Sequence, residues 1–510
     1  MDPRPIYFKT TLHEILFVFV ICMAQLLAQG GITMSLTPMN IILDSFAENS
    51  DSIEGSERVW FMGSFALTVG TFILISGRLG DLFGLRRMLL VGWAWVVVWA
   101  IVTGLSYYSH SIIFFIICRA FQGIGFALIL PCALGILGNI YPIGDRKNLA
   151  FGCVGASGPV GATFGAIFAA ILAQLAWWPW VFWILAIVAC LLGITSFFII
   201  PNNISNVNSE LDTREKLKRM DILGSTFGIV SLVIFNFVWN QGPVEGWDTA
   251  YIIVLLIISS IGIISFFYIE LKVAEYPLLP KSIFNFKIGL LLLCISFGWG
   301  SFGIWQYYYW SIVLNLRKYT PIAAGLTYIP FFVLGIIAAL SVSVLISKIK
   351  PSYIICFASV SFMCGCIMLS IMPVDQSYFQ ISMGQMFLLA WGMDLSYPAA
   401  ALILSDFLPL HHQGMAGSLV STVVNYSVSL FLGIASTVEI QTMQHHHNTL
   451  KSYRAAIYMG IGVAFLGVLF AIIFIVAQHT KNDPDPEITV VKESSITDVD
   501  SKEIKVPLDI

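Results

Sequence analysis

The 510-residue chain is 58% hydrophobic and only 11% charged, with a mean hydropathy of +0.86, whereas soluble domains carry roughly 25% charged residues. That composition excludes a soluble globular fold, and the net charge of −3 comes with no basic stripe suited to nucleic acid. The nine cysteines all fall in apolar stretches and read as small apolar side chains, not a disulfide framework; Cys364 and Cys366 lack the second pair a metal site needs.

Windows of about 20 residues place fourteen membrane spans, at 12–34, 59–79, 88–108, 111–131, 149–173, 180–200, 222–240, 250–270, 288–310, 320–345, 353–373, 379–404, 415–438 and 455–477. The first is too long for a signal-peptide core and has no small-residue cleavage pattern, so it stays as a span. An even number puts both termini on one side. Loops on that side carry sixteen Lys and Arg, including Arg78, Arg86, Arg87, Arg146 and Lys147, while the opposite loops carry five. The positive-inside rule therefore puts both termini in the cytosol. The sequon Asn203-Ile-Ser205 then lies in a cytosolic loop and Asn425-Tyr-Ser427 in a span, so neither should carry glycan.

The expected fold is an all-α membrane protein of 14 transmembrane helices. Residues 1–200 read as a first group of six spans, 201–286 as a cytosolic loop plus spans 7 and 8, and 287–478 as a further six spans. Residues 479–510, polar and acidic, form a disordered cytosolic tail.

Span 4 holds Arg119, a permanent cation at bilayer depth, where insertion costs about 2.5–3.5 kcal/mol. Such a residue faces a protein interior or a wet cavity and marks a solute or proton path. We expect its side chain to project into a watery vestibule between two mobile halves. Gln122 shares its face, and Gly123 and Gly125 let neighbouring backbones approach.

The loop between spans 2 and 3 reads Gly77-Arg78-Leu79-Gly80-Asp81-Leu82-Phe83-Gly84-Leu85-Arg86-Arg87. Here the chain resembles the major facilitator superfamily, whose loop signature is Gly-x-Leu-x-Asp-x-x-Gly-(Arg/Lys)-(Arg/Lys); Leu85 replaces a usual basic residue. The resemblance implies a conformational latch at Gly77, Asp81, Gly84, Arg86 and Arg87, with Asp81 facing the amino end of a helix in the other half and favouring the outward-facing state. Arg119-Ala-Phe-Gln122-Gly123-Ile-Gly125 resembles the fourth-span motif of the drug:proton antiporters, which implies a link between Arg119 and proton movement. In span 5, Gly155, Gly158, Pro159 and Gly161 resemble the antiporter signature, though Ala162-Thr163 replaces its Gly-Gly ending. Small residues there permit close packing, and Pro159 removes a hydrogen bond, giving a pliable seam.

Fourteen spans, Trp177-Trp178-Pro179-Trp180, Asp221-Ile-Leu-Gly224 and Pro277-Leu-Leu-Pro280 are similar to the fungal 14-span drug:proton antiporters. Within them, Asn240-Gln-Gly-Pro243, Trp391-Gly-Met-Asp394 and Val424-Asn425-Tyr426-Ser427 resemble the aminotriazole-resistance and borate-efflux group. That group also includes members implicated in ammonium transport.

Spans 1 to 6 hold no carboxylate in their interiors. Asp394, in the inner half of span 12, is the candidate proton carrier, with structural hydrogen bonding as the alternative. Glu270 and Asp406 sit at span ends and read as interface anchors. Substrate-cavity contacts are expected from Gln25, Gln29, Gln122, Trp299, Trp305, Asn425 and Tyr426, and the run Tyr307 to Trp310 reads as an aromatic belt at the outer interface. The run His445-His446-His447 reads as a solvated loop, and no metal site is expected. With no phosphate-binding loop and no Ser/His/Asp pattern, neither ATP-driven pumping nor an enzyme finds support. These features predict a monomeric secondary transporter without cofactor, its energy drawn from the proton gradient, its partners a small molecule or ion, protons and the lipid bilayer. The expected activity is export of a small toxic compound across a fungal plasma membrane; a vacuolar address, ammonium or weak-base transport, and a transporter-like nutrient sensor are the alternatives.

Overall fold

The computed structural model describes residues 4–47, 55–142, 144–202, 211–279, 281–407 and 413–480. The acidic tail lies outside these from residue 481. Among the described residues, fourteen helices are long and apolar enough to cross a membrane: Thr11–Thr33, Glu57–Phe83, Leu85–Ser109, Ile112–Ile140, Arg146–Leu175, Pro179–Ile199, Ile222–Glu245, Ala250–Val273, Phe286–Leu316, Pro321–Val342, Pro351–Ile371, Tyr378–Ser405, Met415–His446 and Thr449–Gln478. They are spans 1 to 14 below, and each matches an expected one.

The differences lie at the ends. Span 4 continues nine residues beyond Pro131 to Ile140, because a proline inside a membrane helix is tolerated where neighbours re-satisfy the freed backbone group. Span 13 runs eight residues past the expected end at 438, carrying His445 and His446 as its last turn instead of loop. The connection between spans 1 and 2 contains a further helix, Met39–Ala47.

The pairing of spans follows one rule twice. Span 1 packs on 5, 2 on 4, and 3 on both 4 and 6; equivalently 9 packs on 13, 10 on 12, and 11 on both 12 and 14. Two further pairs join these groups, span 2 with 13 and span 5 with 10. Spans 7 and 8 pair with each other, and span 7 leans on spans 13 and 2.

Glycine makes several of these contacts possible. A methyl group at Gly161 would sit 2.0 Å from the Leu26 carbonyl oxygen, and one at Gly165 would sit 2.5 Å from Gly30 Cα, so spans 1 and 5 touch backbone to backbone. Asp221 starts span 7 with φ +44° and accepts the Gly224 amide at 3.1 Å; a methyl at Gly224 would lie 2.1 Å from the Asp221 carboxylate. That close approach explains the Asp-x-x-Gly spacing.

Three expectations about placement are corrected, and a buried ion pair at Glu14 is added. Glu270 is fully buried, accepting the Leu279 amide at 3.1 Å and lying against Gly224, so it ties the end of span 8 to the start of span 7 and does not meet water as an anchor. Tyr307 to Trp310 are at most 2% exposed and form no lipid-facing belt, because neighbouring helices enclose this end of span 9 on all sides. Arg58, one of the five basic residues assigned to the loops opposite the termini, lies instead in the first turn of the helical segment of span 2. Glu14, in the first turn of span 1, is 8% exposed, pairs with Arg146 at 2.8 Å and accepts the Tyr141 hydroxyl at 3.1 Å, joining spans 1, 4 and 5.

Gly161→Leu should therefore wedge spans 1 and 5 apart. Overpacking of this kind costs about 1–3 kcal/mol or more, so the purified variant is expected to melt several degrees lower in detergent, as read by a fluorescence melting curve.

Candidate functional site

The two seams that join spans 1–6 to spans 9–14 are sealed toward the face opposite the termini. At the 5/10 seam, Gln174 Oε1 accepts the Ile322 amide at 3.0 Å and the Thr163 hydroxyl reaches the Tyr328 carbonyl at 3.4 Å. At the 2/13 seam the Ser429 hydroxyl donates to the Gly63 carbonyl at 3.0 Å, and a methyl at Gly70 would lie 2.6 Å from the Tyr426 nitrogen. The Asn40 side-chain amide adds a hydrogen bond to Asn315 Oδ1 at 2.9 Å.

Toward the face that carries the termini and the basic loops, the same two groups of spans separate around a cavity of about 2390 Å³. Its mouth lies among Asp81, Arg86, Arg87, Lys147 and Lys216, and its deep end among Gln25, Gln29, Trp299, Asp394, Tyr397 and Asn425. A second pocket of about 20 Å³ continues outward from Gln29, Trp299 and Asn425 to Met62, Gln306 and Phe331; it has room for a single water.

Asp394 is the charged group of the deep end among the described residues. It is 8% exposed, its Oδ2 has no hydrogen-bond partner, and it forms no ion pair. A methyl at Gly335 would lie 2.9 Å from that oxygen and 2.3 Å from Pro159 Cβ. The signature proline of span 5 thus fits a notch in span 10 whose floor is Gly335, with the Asp394 carboxylate at its edge. Around it, Trp299 donates its indole N–H to the Ser396 hydroxyl at 3.0 Å, the Tyr397 and Ser421 hydroxyls bond at 2.7 Å, and the Asn425 amide is held by the Ser421 carbonyl at 2.9 Å. These bonds fix the polar groups of the deep wall on rigid helices.

Other expected site residues are distributed as follows. Gln25 and Gln29 line the cavity from span 1 and Gly155 and Gly158 from span 5; the expected loop between spans 2 and 3 is reduced to Gly84 at φ +102°, so Gly77 and Asp81 line the cavity from the last turns of span 2, and Arg86 and Arg87 from the first turn of span 3. Gly161 faces span 1 and Pro159 faces span 10.

Arg119 is not in the cavity. It is 0% exposed, donates to Gln122 Oε1 at 2.6 Å, to the Gly31 carbonyl and to Ser35 at 3.4 Å, and lies over the Phe65 ring at 4.7 Å and the Phe182 ring at 5.7 Å. With no carboxylate paired to it, the guanidinium is held inside the first group of spans by a carbonyl, an amide, a hydroxyl and two ring faces, while its Nε has no hydrogen-bond partner. Gln122 is consumed in that contact and is likewise fully buried, so it is no cavity residue in this structure. Trp305, also 0% exposed, donates to Gln385 at 2.7 Å within the core of the second group, and the Tyr426 hydroxyl turns to the Leu232 carbonyl of span 7 at 3.1 Å. Neither lines the cavity.

Three further residues, two at the site and one on the sealed side, were not given a role from the sequence. Tyr397 and Gly335 carry no signal beyond their residue types. Glu439 lies one residue past the expected end of span 13 and accepts the Tyr308 hydroxyl at 2.7 Å. A longer window would have placed a carboxylate inside that helix.

The profile of the Major Facilitator Superfamily matches residues 19–434. The chain is 46% identical over 482 residues to the aminotriazole resistance protein of Saccharomyces cerevisiae, covering 94% of this chain and 87% of that one. It is 43% identical to the low affinity ammonium transporter of the same yeast, covering 92% and 89%, and 35% identical to the efflux pump terJ of Aspergillus terreus, covering 92% and 90%. The crystal structure of the peptide transporter POT superimposes with a TM-score of 0.65 over 92% of this chain and 94% of that one, at 14% identity, which shows a common fold. A fourteen-span helical protein with this cavity, this profile match and these relatives belongs to the major facilitator superfamily, as a non-enzymatic membrane transporter related to fungal efflux pumps.

Proposed function

We propose that the chain is a proton-coupled antiporter that exports a small, polar, toxic compound across the fungal plasma membrane by alternating access, as a monomer. The observation that carries this reading is the unpaired Asp394 carboxylate at the deep end of a cavity open on the basic face, which is the cytosolic face under the positive-inside rule. A lone carboxylate at that depth is costly as an anion unless a proton or cation joins it.

Position links the proton to movement. Asp394 borders Gly335 and so touches the seam that Pro159 forms with span 10. A change of charge there alters the environment of a contact between the two halves, residues 1–200 and 287–478. Amide and aromatic groups of Gln25, Gln29, Trp299 and Asn425 suit a small solute rich in hydrogen-bonding groups. The aminotriazole resistance protein among the relatives favours a compound of that kind. The low affinity ammonium transporter supports a second reading, passage of ammonium or another small weak base past the same carboxylate.

The latch residues fit the same cycle. When the basic face closes, Asp81 would meet the amino end of span 13, whose helix begins at Gln413. Arg119 acts on coupling indirectly, by pinning span 1 to span 4 through the Gly31 carbonyl two residues from Gln29.

Two outcomes follow. Asp394→Asn should lower efflux of radiolabelled aminotriazole at least tenfold in vesicles with an imposed pH gradient, while counterflow without a gradient persists; gradient-driven efflux at the unmodified rate would reject Asp394 as carrier. Arg119→Ala leaves the Gly31 carbonyl and Gln122 without their partner, at about 1–3 kcal/mol for each buried group. Its melting temperature in detergent should drop along with efflux, and an unchanged melting curve would contradict the pinning role.

A further inference from the structure

The sealed outer side contains a polar cluster that the cavity does not use. Glu439, near the outer end of span 13, accepts the Tyr308 hydroxyl of span 9 at 2.7 Å. The short helical turn Gly55–Val59, which carries Arg58, packs directly on span 13. Arg58 thereby lies within electrostatic range of Glu439 and of Tyr453 on span 14, without a direct ion pair to the carboxylate. Tyr453 in turn receives the Asn315 amide at 2.9 Å, and Asn315 Oδ1 receives the Asn40 amide at 2.9 Å. Arg58 and Asn40 belong to the first group of spans; Glu439, Tyr308, Asn315 and Tyr453 belong to the second. The cluster therefore crosses the line along which the outer side must part.

Glu439 and Arg58 are the charged members. The titratable and charged groups that face Glu439 are Tyr307 and Tyr308 from span 9, Tyr453 from span 14 and Arg58 from span 2. Arg58 supplies the positive charge among them. Opening the outer side draws Arg58 away with the first group of spans and leaves the carboxylate among tyrosine rings without its cation. A carboxylate stripped of its partner in such surroundings is strongly unfavourable, whereas a protonated one keeps a hydrogen bond to Tyr308 and needs no cation. The proton comes from the outer solution, because that is the side to which the opening cluster is exposed.

We propose that Glu439 is a second proton-binding site, which takes a proton from the outer solution as the turn carrying Arg58 moves away from span 13 and so permits the outer side to open. The inference rests on the alternating-access reading above, but not on export, on aminotriazole, or on Asp394 as carrier. It gives the chain one carboxylate facing each side of the membrane, Asp394 toward the basic face and Glu439 toward the opposite one.

The test needs no substrate. Met62 is 1% exposed and lines the small pocket between the halves, one helical turn from Arg58. In intact yeast cells, labelling of Met62→Cys by a membrane-impermeant maleimide reports outer opening. Rates are divided by those of Gln444→Cys, an exposed position near the outer end of span 13, which removes the effect of pH on thiol reactivity. Lowering external pH from about 7.5 to about 5.5 should raise the corrected rate at least threefold. Adding Glu439→Gln, which mimics the protonated carboxylate and retains an acceptor for Tyr308, should make the rate high and flat across that range. Arg58→Lys, which keeps the charge, should preserve the pH response and shows that the cluster still folds when altered. A corrected rate that ignores pH in the Met62→Cys protein, or that follows pH equally in the Glu439→Gln double variant, overturns the proposal. Aminotriazole efflux measured in the same cells fails separately: its loss with the labelling response intact rejects the export reading and leaves Glu439 in place.

Discussion

The arrangement depends on two close contacts between helices that belong to different halves. Pro159 of span 5 fits against Gly335 of span 10, and Gly70 of span 2 fits against the Tyr426 backbone of span 13. Because each glycine lacks a side chain, the backbones approach to distances that any methyl group would prevent. The four helices are thereby drawn together on one side, and the same rigid spans diverge on the other to leave the cavity of about 2390 Å³. A hydrophobic solvent offers no incentive for apolar helices to associate, so small residues and interhelical hydrogen bonds must determine where they meet.

The polar groups are arranged around those contacts. Asp394 borders the Gly335 notch from inside the cavity, and the Glu439 cluster spans the opposite side. Arg119 lies apart from both, enclosed by Gly31, Ser35, Gln122, Phe65 and Phe182. A buried cation held through both terminal nitrogens keeps helices in register, and its cost at bilayer depth is offset by bonds and ring faces within one half. The inserted pair has its own polar tie: Asn236 of span 7 accepts the Ser429 hydroxyl at 3.1 Å, and the same hydroxyl reaches Gly63 of span 2. Span 7 is therefore bonded to the 2/13 seam and is more than a spacer.

How much of this was legible in the sequence follows from what each signal measures. Runs of apolar residues report length, so all fourteen spans were found, and Asp394, Gln25, Gln29, Trp299 and Asn425 were recognised as polar groups inside them. Hydropathy does not report rotation about the helix axis. Arg119, Gln122, Trp305 and Tyr426 were thus read as cavity residues although they turn toward other helices. Four successive aromatics, Tyr307 to Trp310, point to all sides of span 9 and look identical in a belt or a core; only the central position of that span buries them. Glu439 was missed because the polar residues after Val438 resemble a loop, while tertiary contacts with spans 9 and 14 extend the helix by two turns.

Alternating access is the central claim, and distances between spin labels test it most directly. One pair, Leu149 on span 5 and Leu402 on span 12, spans the cavity mouth; another, Leu175 on span 5 and Leu326 on span 10, spans the sealed side. Double electron–electron resonance on the reconstituted protein at low and high pH should show the first distance shortening as the second lengthens. Two distances that stay fixed, or that lengthen together, would contradict a cavity that opens to one side at a time.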